Sequence, residues 1–483
     1  MSPYLVLGIV LGYFFVLVFI SWLTSRNADT DTFFTANRKS PWYLVAFGMV
    51  GATLSGVTFI SVPGEVGNSA FAYLQFVFGN IVGYWLIAGI LLPLYYKLNL
   101  ISIYTFLDQR FGKYAYKTGS FFFLISKLTG AAFRLYLVAG VLQIAFFDAF
   151  NIPFEITVIV TIFLIWVYTF RGGIKTIVWT DTLQTLFLVS AVIFTIIVIS
   201  KKMEWNPGTL FSQITDSPNS HIFIWDWRSG NNFFKQFMAG IFTTIAVNGL
   251  DQDMMQKNLT CKNKQEAQKN MVVFSLSFLT TVVLFLSLGV ILYSFAESIG
   301  ISVPENSDDF YPLLALNYLG LPVGIAFLLG ITAATYSSAD SALTAMTTSF
   351  SVDFLNIRKF EEQKRQQIKK WAHLLFSVLL VITILFFKVI NNESIVIAVF
   401  RVAGYTYGPI LGLFIFGMYS KRKVKDAWVP VVGFAAPVIC YFLSKYSETL
   451  FNGYRFGFEL LILNGLITMI GLLLFSKKYV VKN

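Results

Sequence analysis

Thirteen apolar stretches, each long enough to cross a bilayer, divide the chain almost from end to end. They lie at about 4–24, 41–63, 71–97, 117–146, 154–171, 176–200, 233–250, 271–297, 321–350, 371–390, 395–418, 427–444 and 456–476. A spanning helix needs about 20 mainly apolar residues, and lipid forces each stretch to satisfy its backbone hydrogen bonds within a helix. The chain is therefore predicted to be an all-α polytopic membrane protein of about 13 transmembrane helices.

The composition excludes the main classes of water-soluble protein. Of the 483 residues, 56% are hydrophobic and only 13% are charged, whereas a soluble domain carries about 25% charged residues. A soluble enzyme, a secreted disulfide module and a disordered chain are excluded on this ground. The two cysteines, Cys261 and Cys440, show neither metal-binding nor disulfide spacing. The HExxH, GxSxG and P-loop motifs are absent from the sequence, and we expect the protein not to be an enzyme.

Basic residues are distributed unevenly between the segments that join the stretches. If the N-terminus is outside, 26 of the 36 Lys and Arg residues fall in inside segments and 7 in outside segments. Cytoplasmic loops are enriched in Lys and Arg, which predicts the N-terminus outside and the C-terminus in the cytoplasm. The first stretch has no basic segment before it and is predicted to stay as a helix rather than be cleaved. We expect a monomer in the lipid bilayer of the plasma (inner) membrane, with no nucleic acid partner.

Polar residues within the second stretch are a first indication of function, because polar atoms are costly in lipid. In residues 50–58 (VGATLSGVT), Gly51 and Gly56 flank two hydroxyl residues. A helix broken here frees backbone carbonyls, which are tolerated at this depth only where they line a cavity or bind something. An alkali cation takes such oxygen ligands. Close helix packing through small residues is the alternative.

The ninth stretch contains a dense cluster of oxygen atoms at residues 333–341 (AATYSSADS). Ala334, Ser337 and Ser338 are three and four residues apart and therefore share one helical face. Asp340 and Ser341 follow immediately, and an aspartate at this depth needs a partner. The pattern predicts a binding site.

Other ionisable residues within the stretches allow structural explanations. Asp181, at the start of the sixth stretch, is expected either to pair with a loop lysine or to interact with the helix dipole, unless it belongs to a site. For Lys127 and Arg134 of the fourth stretch, a structural ion pair is favoured over ligand binding. Arg401, in the eleventh stretch, needs water or an anion as partner.

The stretches also indicate an internal symmetry. The second opens a run of five, and the seventh, which ends in the polar residues 248–252, opens another run of five. Five is odd, so the two runs have opposite orientation, as in inverted repeats whose first helices are discontinuous. We therefore divide the single domain 1–483 into a peripheral helix 4–24, a first repeat 41–200, a second repeat 233–418 and two peripheral helices within 427–476.

Several motifs resemble the sodium/solute symporters, the family of the sodium–glucose, sialic acid, proline and pantothenate cotransporters. The most specific are residues 51–63 (GATLSGVTFISVP), 171–181 (RGGIKTIVWTD), 251–259 (DQDMMQKNL), 333–341 and 408–417 (GPILGLFIFG). The resemblance covers nearly the whole chain. It implies a LeuT-like fold of two five-helix inverted repeats that works by alternating access, with Na⁺ as the coupling ion.

The resemblance also implies ion-binding residues. The main sodium site corresponds to the carbonyls of Gly51, Leu54 and Ala334 and the hydroxyls of Ser337 and Ser338. A possible second sodium or proton site corresponds to Asp181, Ser338, Asp340 and Ser341. Asp340 stands where the family usually has a hydroxyl residue, which is compatible with a stronger second site, a proton site or an ion pair.

The solute of the family lies between the broken helices and their neighbours. The residues of this chain that correspond to that position, and are therefore candidates for binding the solute, are Thr53, Ser55, Thr58, Gln75, Asn80, Asn248, Gln252 and Tyr405. Their hydroxyls and amides suit a small polar organic solute such as a sugar, polyol or sugar acid, imported together with sodium. Arg134 is not matched to the carboxylate-binding arginine of the sialic acid transporters, so an acidic solute stays open. The alternatives are a proton-coupled symporter that uses Asp340 and a sodium-dependent solute sensor of the same fold.

Overall fold

The computed structural model describes residues 3–26, 29–145, 147–170, 172–390, 395–454, 456–457 and 459–477. Each of the thirteen predicted stretches contains a helix within these ranges. Of the basic residues counted above, Arg171, Arg455, Lys478 and Lys482 lie outside the described residues.

We number the helical spans in chain order and give an interrupted span as its segments. Spans 1 to 6 are Pro3–Ser25; Trp42–Thr53 with Gly56–Ser69; Tyr73–Leu86 with Leu92–Lys97; Lys113–Ala145; Phe154–Thr169; and Ile174–Lys202. Spans 7 to 13 are Phe233–Thr244 with Gln252–Asn258; Lys264–Ser298; Leu321–Ser349; Glu362–Ile390; Ile395–Tyr419; Val429–Lys445; and Leu460–Leu474. Single π-helical turns continue spans 3, 7 and 9 at Ile87–Leu91, Ile245–Gly249 and Phe350–Phe354.

Short elements connect the spans. Five are helices, at Thr30–Thr35, Thr105–Arg110, Pro207–Thr215, Phe310–Asn317 and Ser447–Leu450. Six are 3-10 turns, at Ala36–Arg38, Phe147–Phe150, Pro218–Ser220, Ser307–Asp309, Ile357–Lys359 and Asp426–Trp428. The strands Lys423–Val424 and Ser476–Lys477 pair antiparallel, with Lys423 opposite Lys477. This pair joins the segment after span 11 to the segment after span 13.

The number of spans agrees with the prediction over the described part of the chain. Nine helices are long and apolar enough to cross a membrane, and the two segments of span 2, bent by 64°, make a tenth. Spans 5 and 13 are shorter apolar helices of 16 and 15 residues. The interrupted span 7 completes the thirteen. The apolar runs determine these helices because lipid offers no other partner for the backbone.

The interrupted spans 2 and 7 each pack against several neighbouring helices. Span 2 packs against spans 6, 8 and 9, and span 7 packs against spans 3 and 11. Spans 6 and 9 also pack against each other. Span 9 is the most buried of the nine qualifying helices, with 72% of its apolar window inside the protein, compared with 28% for spans 1 and 12. This arrangement brings the polar residues of span 9 next to the break in span 2.

Candidate ion and solute sites

The break in span 2 releases a backbone carbonyl. In a continuous helix the Ser55 N–H would bond to the Gly51 carbonyl, but here it donates to the Thr53 carbonyl at 3.1 Å. The helix ends at Thr53 and restarts at Gly56, with Leu54 in a non-helical conformation between them. The Gly51 carbonyl is thereby released from its helical partner and is available to a cation.

Two glycines allow the neighbouring spans to approach this break. The Gly51 N–H donates to Thr185 Oγ1 of span 6 at 3.0 Å, and a Cβ on Gly51 would lie 2.4 Å from that oxygen. A Cβ on Gly56 would lie 2.3 Å from Thr335 Oγ1 of span 9. Spans 6 and 9 therefore hold the break from two sides at distances that only glycine permits.

The hydroxyls expected to bind sodium are buried on span 9, and both have side-chain partners. Ser337 Oγ donates to Asp181 Oδ1 of span 6 at 2.6 Å. Ser338 Oγ accepts a hydrogen bond from Arg134 Nη1 of span 4 at 3.0 Å. Ala334 lies one turn earlier and is fully buried. Spans 4, 6 and 9 therefore all meet at the predicted sodium-binding hydroxyls.

Asp181 forms a buried ion pair with Lys257. Their Nζ and Oδ2 atoms are 2.8 Å apart, and each side chain is only 1% exposed. Lys257 also lies 3.8 Å from Asp253. Lys257 lies beyond the apolar stretch predicted at 233–250, whereas the structure places it in the second segment of span 7. The spacing of Asp253 and Lys257 by one helical turn is the sequence signal that could have identified it.

Asp340 is fully buried beside the Asp181–Lys257 pair. Its Oδ2 accepts a hydrogen bond from the Tyr168 hydroxyl at 2.8 Å, and its Oδ1 lies 3.2 Å from Ser341 Oγ. Ser341 Oγ also lies 3.5 Å from Asp181 Oδ2. Three of the four residues expected at a second cation site are thus connected, while the fourth, Ser338, bonds to Arg134.

Lys127 has the structural ion pairs that the sequence analysis favoured. Its Nζ lies 3.2 Å from Asp251 and 2.7 Å from Asp253, and Asp251 also accepts a hydrogen bond from the Tyr407 hydroxyl. Asp251 caps the second segment of span 7, because its Oδ1 accepts the N–H of Asp253 at 2.8 Å. For Arg134, in contrast, no carboxylate lies within ion-pair distance among the described residues.

A cavity of about 370 Å³ begins at the break in span 2. Five of the predicted solute-binding candidates line it, namely Thr53, Ser55, Thr58, Asn80 and Asn248. Charged side chains line it as well, namely Glu65, Lys127, Arg134 and Asp253. The cavity extends to Ser69 at the end of span 2 and to Gln236 near the start of span 7. It is therefore a mainly apolar chamber lined in addition by neutral polar and by charged side chains.

Three predicted solute-binding candidates lie outside this lining. The Gln75 amide donates to the Asn231 carbonyl at 2.8 Å and accepts the Ile224 N–H at 3.0 Å, so it holds the loop before span 7.

Gln252 donates to the Ile101 carbonyl at 2.7 Å and accepts the Ile103 N–H at 2.9 Å. Tyr405 packs towards Tyr441 of span 12, with ring centroids 6.4 Å apart. Tyr407, two residues further along span 11, lines the cavity instead. Both amides and the Tyr405 ring serve contacts between segments in this conformation.

Comparison with known proteins identifies the family. The model of the sodium:solute symporter family matches residues 33–427. The chain belongs to this family. The family couples sodium to solute transport, so the protein is an integral membrane transporter, a sodium-coupled symporter that co-transports sodium and a small organic solute.

Three relatives illustrate the range of similarity. A sodium/sialic acid symporter (NanT) of Aliivibrio fischeri is 26% identical over 434 residues, which are 86% of this chain and 83% of the relative. The sodium/sialic acid symporter SiaT of Proteus mirabilis is 24% identical, over 93% of this chain and 91% of the relative. A sodium-coupled monocarboxylate transporter of Xenopus laevis is 25% identical, over 86% of this chain and 66% of the relative.

Solved structures establish the fold. A Na⁺-coupled sialic acid symporter in a substrate-bound, outward-open state superposes with a TM-score of 0.82, at 18% identity, over 98% of this chain and 99% of the other. The transporter Mhp1 of the nucleobase-cation-symport-1 family superposes with a TM-score of 0.53, at 14% identity, over 91% of this chain and 93% of the other. The chain therefore has the predicted LeuT-like fold.

Proposed function

We propose that this symporter imports a small acidic organic solute, a sugar acid, together with sodium. The observation that carries the proposal is Arg134, a guanidinium in the cavity wall without a carboxylate partner among the described residues. The other cavity cation, Lys127, is already paired with Asp251 and Asp253. Arginine presents a planar fork of donors that suits a carboxylate. An acidic solute would therefore give Arg134 the carboxylate partner that it lacks among the described residues.

The remaining cavity residues support a solute that also carries hydroxyl groups. Thr53, Ser55, Thr58, Asn80 and Asn248 provide hydroxyl and amide groups along the wall. Such groups exchange hydrogen bonds with a polyhydroxylated molecule, whereas a purely apolar acid would leave them unpaired at a cost. The relatives named above as symporters of sialic acid and of monocarboxylates support the carboxylate.

For the coupling ion, we propose the carbonyls of Gly51, Leu54 and Ala334 with the hydroxyls of Ser337 and Ser338. The redirected Ser55 N–H supports this site, because it leaves the Gly51 carbonyl without its helical partner. Sodium is a hard cation that prefers oxygen ligands. An ion bound here would bridge spans 2 and 9 at the wall of the solute cavity.

A second cation would be held mainly by Asp340 with Ser341. The charge of Asp181 is already balanced by Lys257 at 2.8 Å. Asp340 bonds to the hydroxyls of Tyr168 and Ser341, and it has no ion-pair partner among the described residues. The burial of this acidic group favours a mechanism in which a second sodium ion or a proton is transported together with the first sodium ion.

The direction of transport follows from the predicted orientation. With the N-terminus outside, the cavity ends at Ser69 and Gln236 lie on the extracellular side. Asp181 and Lys257 then lie in the cytoplasmic half, and neither lines the cavity. Alternating access would open this half after sodium and solute bind. The membrane potential contributes about 2.3 kcal/mol per charge per 100 mV to sodium entry.

Accumulation in proteoliposomes tests the proposal. We expect sialic acid to accumulate above its external concentration when a sodium gradient points inward, and not when potassium replaces sodium. The neutral methyl ester and a neutral sugar should accumulate much less. Arg134→Gln should abolish the preference for the acid. Binding of sialic acid without accumulation would favour the sensor, and accumulation that is independent of sodium would contradict sodium coupling.

A further inference from the structure

The Arg134 guanidinium contacts both the solute cavity and the proposed sodium site. Arg134 lines the solute cavity, and its Nη1 donates at 3.0 Å to Ser338 Oγ. Ser338 is also one of the proposed sodium-binding hydroxyls and is only 4% exposed. Ser338 Oγ is therefore hydrogen-bonded to the Arg134 guanidinium and is also a proposed ligand of the transported sodium ion.

A sodium ion and this guanidinium would repel each other if both bound to the Ser338 oxygen. Hard cations lie about 2.3–2.6 Å from their oxygen ligands, and Arg134 Nη1 already lies 3.0 Å from the Ser338 oxygen. Two positive charges would then be within roughly 5–6 Å of each other, by adding these distances. In a buried region of low dielectric such a pair repels strongly. Full occupancy of Ser338 by sodium therefore favours a guanidinium that has moved away.

We infer that Arg134 couples ion binding to solute binding by competing with sodium for Ser338. Sodium at Ser338 displaces the guanidinium towards the cavity, where it meets the acidic group of the solute. The inference rests on the proposed sodium site and on the acidic solute. Coupling between two ligands is reciprocal, so an acid that draws Arg134 into the cavity raises the affinity for sodium by the same factor.

Lys127 offers a matched comparison on the same helix. It also belongs to span 4, lines the same cavity and carries the same charge. Its ammonium group, however, contacts Asp251 and Asp253 rather than span 9. A variant of Lys127 removes one positive charge from the cavity lining without removing a competitor at Ser338.

The decisive measurement is sodium affinity in the absence of solute. Sodium would be titrated against purified full-length protein at constant ionic strength with potassium, and stabilisation would be followed by the melting temperature. We expect Arg134→Gln to bind sodium about tenfold more tightly than the unmodified protein, a change equivalent to one decade of affinity. Lys127→Gln should change the affinity clearly less. An unchanged or weaker affinity in Arg134→Gln would overturn the inference.

A second measurement on the unmodified protein does not depend on folding of the variants. Sialic acid should raise the sodium affinity, and its neutral methyl ester should not, because only the acid draws the guanidinium away from Ser338. An equal effect of acid and ester would overturn the competition. If sodium fails to stabilise the unmodified protein at all, the proposed sodium site itself is wrong. If sodium stabilises it and Arg134→Gln gains nothing, only the competition fails.

Discussion

Spans 2 and 7 are both interrupted near the middle of the protein, but the two breaks treat their released carbonyls differently. In span 2, the Ser55 N–H turns to Thr53 and leaves the Gly51 carbonyl without its helical partner. In span 7, the Tyr95 hydroxyl donates to the Gly249 carbonyl at 2.9 Å, and the Tyr104 hydroxyl donates to the Leu250 carbonyl at 2.8 Å. The first break leaves one carbonyl without its helical partner, and the second satisfies its carbonyls with tyrosine hydroxyls.

The two breaks also differ in charge: the span 2 break is uncharged, and the segment after the span 7 break is charged. The residues of the span 2 break that line the cavity, such as Thr53 and Ser55, are uncharged. The segment after the span 7 break carries Asp251, Asp253 and Lys257, all buried and all in ion pairs. A neutral break can bind and release a cation without leaving a charge exposed to low dielectric, whereas a charged break depends on its partners. This difference suits ion binding at span 2 and a structural or gating role at span 7.

The largest expected effect comes from removing the buried cation of span 7. Lys257→Met leaves Asp181 and Asp253 without their shared partner, and breaking a buried pair costs about 3–5 kcal/mol. The melting temperature in detergent should fall strongly. Adding Asp181→Asn to this variant should restore part of the loss, because it removes one uncompensated charge.

A matched control for this prediction is Lys388→Met. Lys388 and Glu155 form a pair of similar length, 2.7 Å, but both side chains are exposed. Exposed pairs contribute little to stability, so the melting temperature should change little. An equal fall in melting temperature in Lys257→Met and Lys388→Met would show that the stability of the charged segment of span 7 does not depend on its buried ion pairs.

The next effect concerns the neutral break. Replacing both Ser337 and Ser338 by Ala removes two of the five proposed oxygen ligands and should weaken sodium binding about 100-fold, which corresponds to about 2.8 kcal/mol. The readout is the sodium concentration that gives half of the maximal thermal stabilisation. Thr332→Val is the control, because Thr332 is a buried hydroxyl residue of the same span without a hydrogen-bond partner among the described residues. A comparable loss of sodium affinity in Thr332→Val would contradict the role of Ser337 and Ser338 as sodium ligands.

Residue patterns predicted the spans well and the contacts of individual polar residues less well. Apolar runs determine where helices form in lipid, so each of the thirteen stretches coincides with a helix. The boundaries were less accurate: spans 8 and 10 begin at Lys264 and Glu362 rather than at 271 and 371, and span 7 ends at Asn258 rather than at 250. The serines at 337 and 338 stood out because they belong to a polar cluster that follows an apolar run within one stretch. Gln75, Gln252 and Lys257 could not be placed in this way. Whether an amide faces a cavity or holds a distant loop depends on which segments the fold brings together. Residues 251–259 are polar, so the apolar pattern ended the seventh stretch at 250, before the second segment of span 7.

A smaller effect is expected from the close approach at the span 2 break. Gly51→Ala places a Cβ 2.4 Å from Thr185 Oγ1, and overpacking of this kind costs about 1–3 kcal/mol. Both the melting temperature and the sodium affinity should fall, since the Gly51 carbonyl shifts with the backbone. Gly140→Ala in span 4 is the control, because its added Cβ meets nothing within 4 Å. Thr185→Ala should rescue part of the Gly51→Ala loss, because the Cα and Cβ of residue 185 still lie 3.2 and 3.3 Å from the added Cβ. The absence of any rescue would locate the strain elsewhere.

The smallest effect tests the satisfied carbonyls of the span 7 break. Tyr95→Phe and Tyr104→Phe each remove one hydroxyl donor and should each lower the stability by about 1 kcal/mol. Neither should change the sodium affinity of the unmodified site, because the affected carbonyls lie in span 7 and the proposed ligands in spans 2 and 9. If the double variant acquires an additional sodium-dependent stabilisation, the tyrosines are what keeps sodium from the second break. If sodium affinity at the first site falls instead, the two breaks are not independent and the contrast between them is wrong.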